Sequence, residues 1–170
     1  MFLGFFYSFV RLKGKSVELI RNVNKGKFGI EGEVYFDLFE KYISLTVEDD
    51  ETVYAEECAA YLNALPEIVI LKLCEASIRY CNAFLDAIGE PQKNFEHSRQ
   101  VLEFIYPSML IVPTPNITNT PVIHIELNCE WEEEHGMEWI VRANEVLYVG
   151  AFNGEDPWDD FSDKQEWNYA

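Results

Sequence analysis

The sequence predicts an α+β domain in which an antiparallel sheet, assembled from N-terminal and C-terminal strands, carries two central helices on one face. Three observations lead there. Apolar residues alternate at a period of two in both outer thirds of the chain, they recur at steps of three and four in the middle, and glycine and proline punctuate the joins.

Val17 to Val23 and Phe28 to Leu38 read as strands broken by Asn24-Lys25-Gly26, a hairpin signal. In the second of them Phe28, Ile30, Gly32, Val34 and Phe36 share one face. Tyr42 to Val47 is a third strand, ended by Glu48-Asp49-Asp50-Glu51, and the three form a meander with one solvated face. Helical spacing then takes over at Tyr54, Cys58, Tyr61, Leu62 and Leu65, with Thr52 as the expected N-cap and Pro66 as the break before the next helix. The second helix has the clearest pattern in the chain: Leu71, Cys74, Ile78, Cys81, Leu85 and Ile88 form its stripe, and Gly89 with Pro91 stops it.

Gln92 to Arg99 is a polar connector. Val101 to Val112 is strongly apolar, a short helix or strand as far as Tyr106 and an extended piece from Met109, because Pro107, Pro113, Pro115 and Pro121 forbid one continuous element. Ile123, Ile125, Leu127, Cys129 and Trp131 then define the core face of a strand whose other face, with His124, Glu126, Asn128 and Glu130, is expected to be wet. The chain bends through Glu132-Glu133-Glu134-His135-Gly136 and returns as Trp139-Ile140-Val141 and Val146 to Val149, separated by the turn Ala143-Asn144. The domain is expected to span 1–152. The remaining 153–170 form an acidic, aromatic tail, either solvated or packed back through Trp158, Phe161 and Trp167.

Net charge is -17, and with 48% hydrophobic residues it decorates a folded body rather than a disordered chain. The acidity is uneven: residues 1–30 hold six Lys or Arg against Glu18, whereas 126–170 hold thirteen acids against Arg142 and Lys164. Such a surface repels nucleic acid and anionic lipid and favours a basic protein partner. The opening Met1 to Val10 lacks the basic region and cleavage site of an export signal and is too short to span a bilayer, so it is expected to be a core strand of a cytoplasmic protein. Cys58, Cys74, Cys81 and Cys129 contain no CxxC, and Cys74 and Cys81 lie two helical turns apart. All four are expected to be reduced, buried thiols.

The densest set of ionisable groups is Glu130, Glu132, Glu133, Glu134 and His135, flanked by Trp131 and Trp139. These seven residues are the candidate binding surface. His135 beside Glu134 has three readings: a general base, a metal ligand with Cys129, Glu130 or Glu134, or a structural hydrogen bond that holds the bend. Nothing matches HExxH, a paired-cysteine zinc site, a P-loop, GxSxG or GxGxxG, so no catalytic residue, metal or cofactor is assigned. His124 is expected to be exposed, and His97 lies in the polar connector.

Cys129 to Glu138, followed by a strand and Val146-Leu147-Tyr148-Val149-Gly150, resembles the C-x-W-x-x-E-H-G pattern of small uncharacterised bacterial domains. The helical stretch Tyr54 to Leu65, with Leu73-Cys74-Glu75-Ala76 and Arg79-Tyr80-Cys81, resembles the same group, over roughly 28–150. Some of these families resemble immunity proteins of bacterial toxin systems. The resemblance implies an acidic single-domain inhibitor of a toxic effector and carries over no enzymatic residue. The functional expectation is therefore a non-enzymatic cytoplasmic binding or immunity-type protein that receives a basic toxin or effector. The alternative is a hydrolase or metal-binding protein using Glu134 and His135. Oligomeric state is not legible.

Overall fold

The computed structural model describes residues 9–27 and 29–170. Strands β1 (Phe9–Leu12) and β2 (Lys15–Glu18) form a separate antiparallel hairpin. The main sheet has seven strands in chain order: β3 (Ile20–Lys25), β4 (Ile30–Phe36), β5 (Lys41–Val47), β6 (Ile105–Val112), β7 (Val122–Cys129), β8 (Glu132–Arg142) and β9 (Glu145–Ala151). Between β5 and β6 run α1 (Thr52–Leu62), α2 (Glu67–Ile88) and a 3-10 segment (Ser98–Phe104).

The α+β class is as expected, but the sheet is mixed. Two antiparallel halves, β3-β4-β5 and β6 to β9, meet at a parallel pair in which Ser44 to Val47 lie beside Met109 to Val112. The cause is the connection: a hairpin forces antiparallel pairing, whereas a long crossover through two helices lets the chain re-enter in the same direction. Pro107 sits inside β6 at a register shift, where a missing N–H is tolerated. The opening run expected as a core strand lies mostly in residues 1–8, outside the described residues, as does Phe28. Phe9, the first described residue, is 60% exposed.

Both helices share one apolar core with one face of the sheet, α1 against β4 and β7 and α2 against β9. Thr52 is the first helical residue rather than the N-cap. Its N–H donates to the Asp50 carbonyl within the acidic turn, so the helix begins from Glu51. Gly89 ends α2 as expected, at φ 77°, with its N–H and that of Glu90 donated back to the last turn. The buried side of α2 is rotated from the expected stripe. Val69, Leu73, Cys74, Ala76, Ser77, Tyr80 and Cys81 face the core, while Ile88 is exposed. Small Ala76 and Ser77 lie on that side, and the Ser77 hydroxyl accepts the Trp139 indole N–H at 3.0 Å while donating to the Leu73 carbonyl.

The other face of the sheet is solvated in its N-terminal half and covered in its C-terminal half. Val122, Ile140, Leu147 and Tyr148 form a second cluster there, roofed by Trp158 and Phe161 from the tail, while Trp167 is exposed. The tail also closes the β9 edge: Tyr169 N–H donates to the Val149 carbonyl, and the Asn168 side chain bonds Val149 N–H and the Leu147 carbonyl. Arg79 of α2 donates twice to the Tyr169 carbonyl, which holds the end of the chain in place.

All four cysteines are free and buried. Burial pushes the Cys74 and Cys81 thiols up to about 11 and Cys129 to about 12, and raises Cys58 as well. Because the thiolate is the reactive form, a raised pKa leaves little of it near neutrality. Native protein at pH 8 is therefore expected to resist iodoacetamide over hours while denatured protein takes up four labels at once, a difference read by intact-mass spectrometry. Rapid native labelling at any of the four would show that its cover opens.

Candidate functional site

The acidic stretch takes its shape from an irregular hairpin. β7 turns into β8 through Glu130-Trp131, so Cys129 pairs with Glu132. The next pair is Leu127 with Met137. Asn128 alone therefore faces Glu133, Glu134, His135 and Gly136, and the surplus residues bulge out of the ladder. The turn thus precedes the position that the sequence pattern suggests, and the glutamates belong to the bulge that follows it.

Glu132 holds this bulge. Its side chain is nearly buried, and its carboxylate accepts N–H groups from Glu134 at 2.9 Å and His135 at 3.1 Å, with His135 Nδ1 3.4 Å away. Gly136 completes the bulge at φ +70°, where an added Cβ would lie 2.6 Å from the Leu127 carbonyl oxygen. Outside this clasp, Glu133, Glu134 and His135 are exposed. Glu130, also exposed, accepts the Tyr106 hydroxyl proton at 2.7 Å and lies 4.0 Å from Lys93 Nζ.

The seven candidate residues thus divide by environment. Glu130, Glu133, Glu134 and His135 reach solvent. Glu132 is a buried hydrogen-bond acceptor, Trp131 is 7% exposed and stands edge-on to Tyr80 at 6.0 Å, and Trp139 is core, bonded to Ser77. The carboxylate set beside His135 is that of Glu132, already engaged by two backbone N–H groups, rather than that of Glu134. Among the described residues, no group of three or more His, Cys, Asp or Glu is placed to hold a metal ion.

Beside the bulge lies an open groove of about 670 Å³, lined by Tyr80, Phe84, Trp131, Phe152 and the glutamates 132–134. Its walls come from α2, the β7–β8 turn and the end of β9. Phe152 N–H donates to the Gly136 carbonyl, which ties that wall to the bulge. Aromatic faces and carboxylates both attract cations, and this groove brings the two together.

His124 is not exposed. It is 4% accessible, and its Nε2 lies 2.7 Å from Oε2 of Glu138, a fully buried carboxylate. The alternation placed His124 correctly on the face opposite the helices, but that face is covered by the tail. Phe152 stacks on the imidazole, and Glu138 Oε1 accepts the N–H groups of Asn153 and Glu155. Sequence reasoning passed over Glu138. The available signal was a lone acid inside the apolar run Met137 to Val141.

No helix among the described residues is long and apolar enough to cross a membrane. No curated protein and no solved structure matches the chain. Residues 19–157, which contain the whole seven-stranded sheet, both helices and the bulge, match the model of the domain of unknown function DUF6985, and the chain belongs to that family.

Proposed function

We propose that this chain is a non-enzymatic bacterial binding protein of the cytoplasm, of the immunity type, whose acidic bulge receives a basic toxin or effector. One observation carries the reading: a buried glutamate, Glu132, is used to hold Glu133, Glu134 and His135 outward at the rim of an aromatic groove. The net charge of -17 acts in the same direction, steering a cationic partner. The four free thiols suit a reducing compartment.

Steering acts on association rate and fades with salt. Glu133 and Glu134 are the residues to reverse, since Lys at Glu132 would break the bulge itself. With the basic product of an adjacent gene immobilised, the Glu133→Lys/Glu134→Lys variant is expected to associate about tenfold more slowly at low salt and nearly normally at high salt. Surface plasmon resonance across a salt series measures this. An unchanged low-salt rate would show that the bulge does not face the partner.

A further inference from the structure

The groove beside the bulge is more specific than its charge. Tyr80, Phe84, Trp131 and Phe152 wall it, and the exposed Glu133 and Glu134 stand at its rim. Buried polar atoms are normally paired. Here the Tyr80 hydroxyl and the Trp131 Nε1 are buried with no hydrogen-bond partner, although Tyr80 is only 5% and Trp131 only 7% exposed. They are the two such side-chain atoms among the described residues, and both belong to walls of this one groove.

The chemistry of the missing occupant follows from these groups. An indole N–H only donates, so Trp131 needs an acceptor, whereas a tyrosine hydroxyl can donate or accept. The rim carboxylates need donors, and the ring faces favour a cation. A guanidinium on a peptide supplies all of these: a planar cation that stacks on aromatic faces, donors for the carboxylates and the tyrosine oxygen, and a backbone carbonyl for the indole. An ammonium is a compact, strongly hydrated point charge and matches fewer of them. Both orphan atoms are closed off in the free groove, so the occupant reaches them through a side-chain rearrangement of the groove's walls.

We propose that this groove binds an arginine side chain presented on a peptide segment of the protein partner. The inference rests on the reading of the bulge as partner-facing and names the residue that surface selects.

The test follows the indole N–H signals of the four tryptophans in the 15N-labelled full chain, with Trp131 identified from Trp131→Phe. The probes are acetyl-Gly-Arg-Gly-amide, its lysine analogue and its isosteric but neutral citrulline analogue. The arginine peptide is expected to move the Trp131 signal saturably, the lysine peptide to bind several-fold more weakly, and the citrulline peptide to leave the signal in place. Glu133→Gln/Glu134→Gln, two exposed changes that leave the Glu132 clasp intact, should raise the dissociation constant about fivefold. A Trp131 signal that stays still with arginine, or moves equally with citrulline, overturns the arginine site. Salt-dependent binding of poly-lysine that is lost on Glu133→Lys/Glu134→Lys, with Trp131 silent throughout, would overturn this inference and leave the acidic-surface reading standing. Failure of every cationic probe would overturn both.

Discussion

Glu138→Ala is expected to destabilise the domain by about 3–5 kcal/mol, because it removes a buried acceptor and leaves several hydrogen-bond partners unpaired, at about 1–3 kcal/mol for each such group. The carboxylate is wholly buried and holds three groups at once: His124 Nε2 at 2.7 Å and the N–H groups of Asn153 at 3.0 Å and Glu155 at 3.3 Å. Alanine would leave the imidazole beneath Phe152, and the N–H groups of Asn153 and Glu155, without this acceptor. In a chain of this length each kcal/mol moves Tm by about 2–4 °C, so a drop on the order of 10 °C is expected by calorimetry. Glu138→Gln keeps an acceptor for the two backbone groups and should lose less. A double-mutant cycle with His124→Ala isolates the pair from the tail contacts. A cost below about 1 kcal/mol for Glu138→Ala would mean that the pair does not secure the tail.

The pair also shows what the sequence made legible and what it did not. Period-two alternation assigned the faces of β4 and β7, Gly89 marked the end of α2 and Ala143-Asn144 the turn between β8 and β9, because these are local conformational demands. Both turn residues do take positive φ, 51° and 59°. The parallel β5–β6 pairing had no local signal, since its partners are 65 residues apart and the crossover between them decides direction. His124 illustrates a different limit. Alternation says which face a side chain takes, but not whether another segment covers that face, and the cover here comes from Phe152 and the tail.

The bulge sets a third limit. Three surplus residues break the alternation between Glu132 and Met137, so composition could not say which glutamate turns inward. Glu132 is the one folded back, and its neighbours are thereby exposed. Ser77 and Tyr80 were missed for a related reason. A serine on the core side of a helix looks like a break in the apolar stripe until Trp139 is placed opposite it, and Tyr80 counts as ordinary core until its hydroxyl is seen to lack a partner.

Truncation after Phe152 is expected to abolish the cooperative unfolding transition. The deleted segment carries six acids and one lysine, so its loss lowers the net negative charge and, on electrostatics alone, should relieve self-repulsion. Burial acts in the opposite direction and is larger. Val122, Ile140, Leu147 and Tyr148 lie beneath Trp158 and Phe161, and uncovering each large apolar side chain costs about 1.5–3 kcal/mol. Four such groups amount to a sum comparable with the whole stability of a typical domain, about 5–15 kcal/mol. The deletion also removes Asn153 and Glu155 from Glu138 and reopens the β9 edge that Asn168 and Tyr169 close, inviting edge-to-edge association. Near-UV circular dichroism should therefore lose its aromatic signal while far-UV helix content persists, and the product should associate in solution. The single change Phe161→Ala should retain a cooperative transition at lower Tm, which separates loss of the roof from loss of the edge clamp. A truncated chain that melts cooperatively near the Tm of the full one would show that the β7–β9 face is stable without its cover.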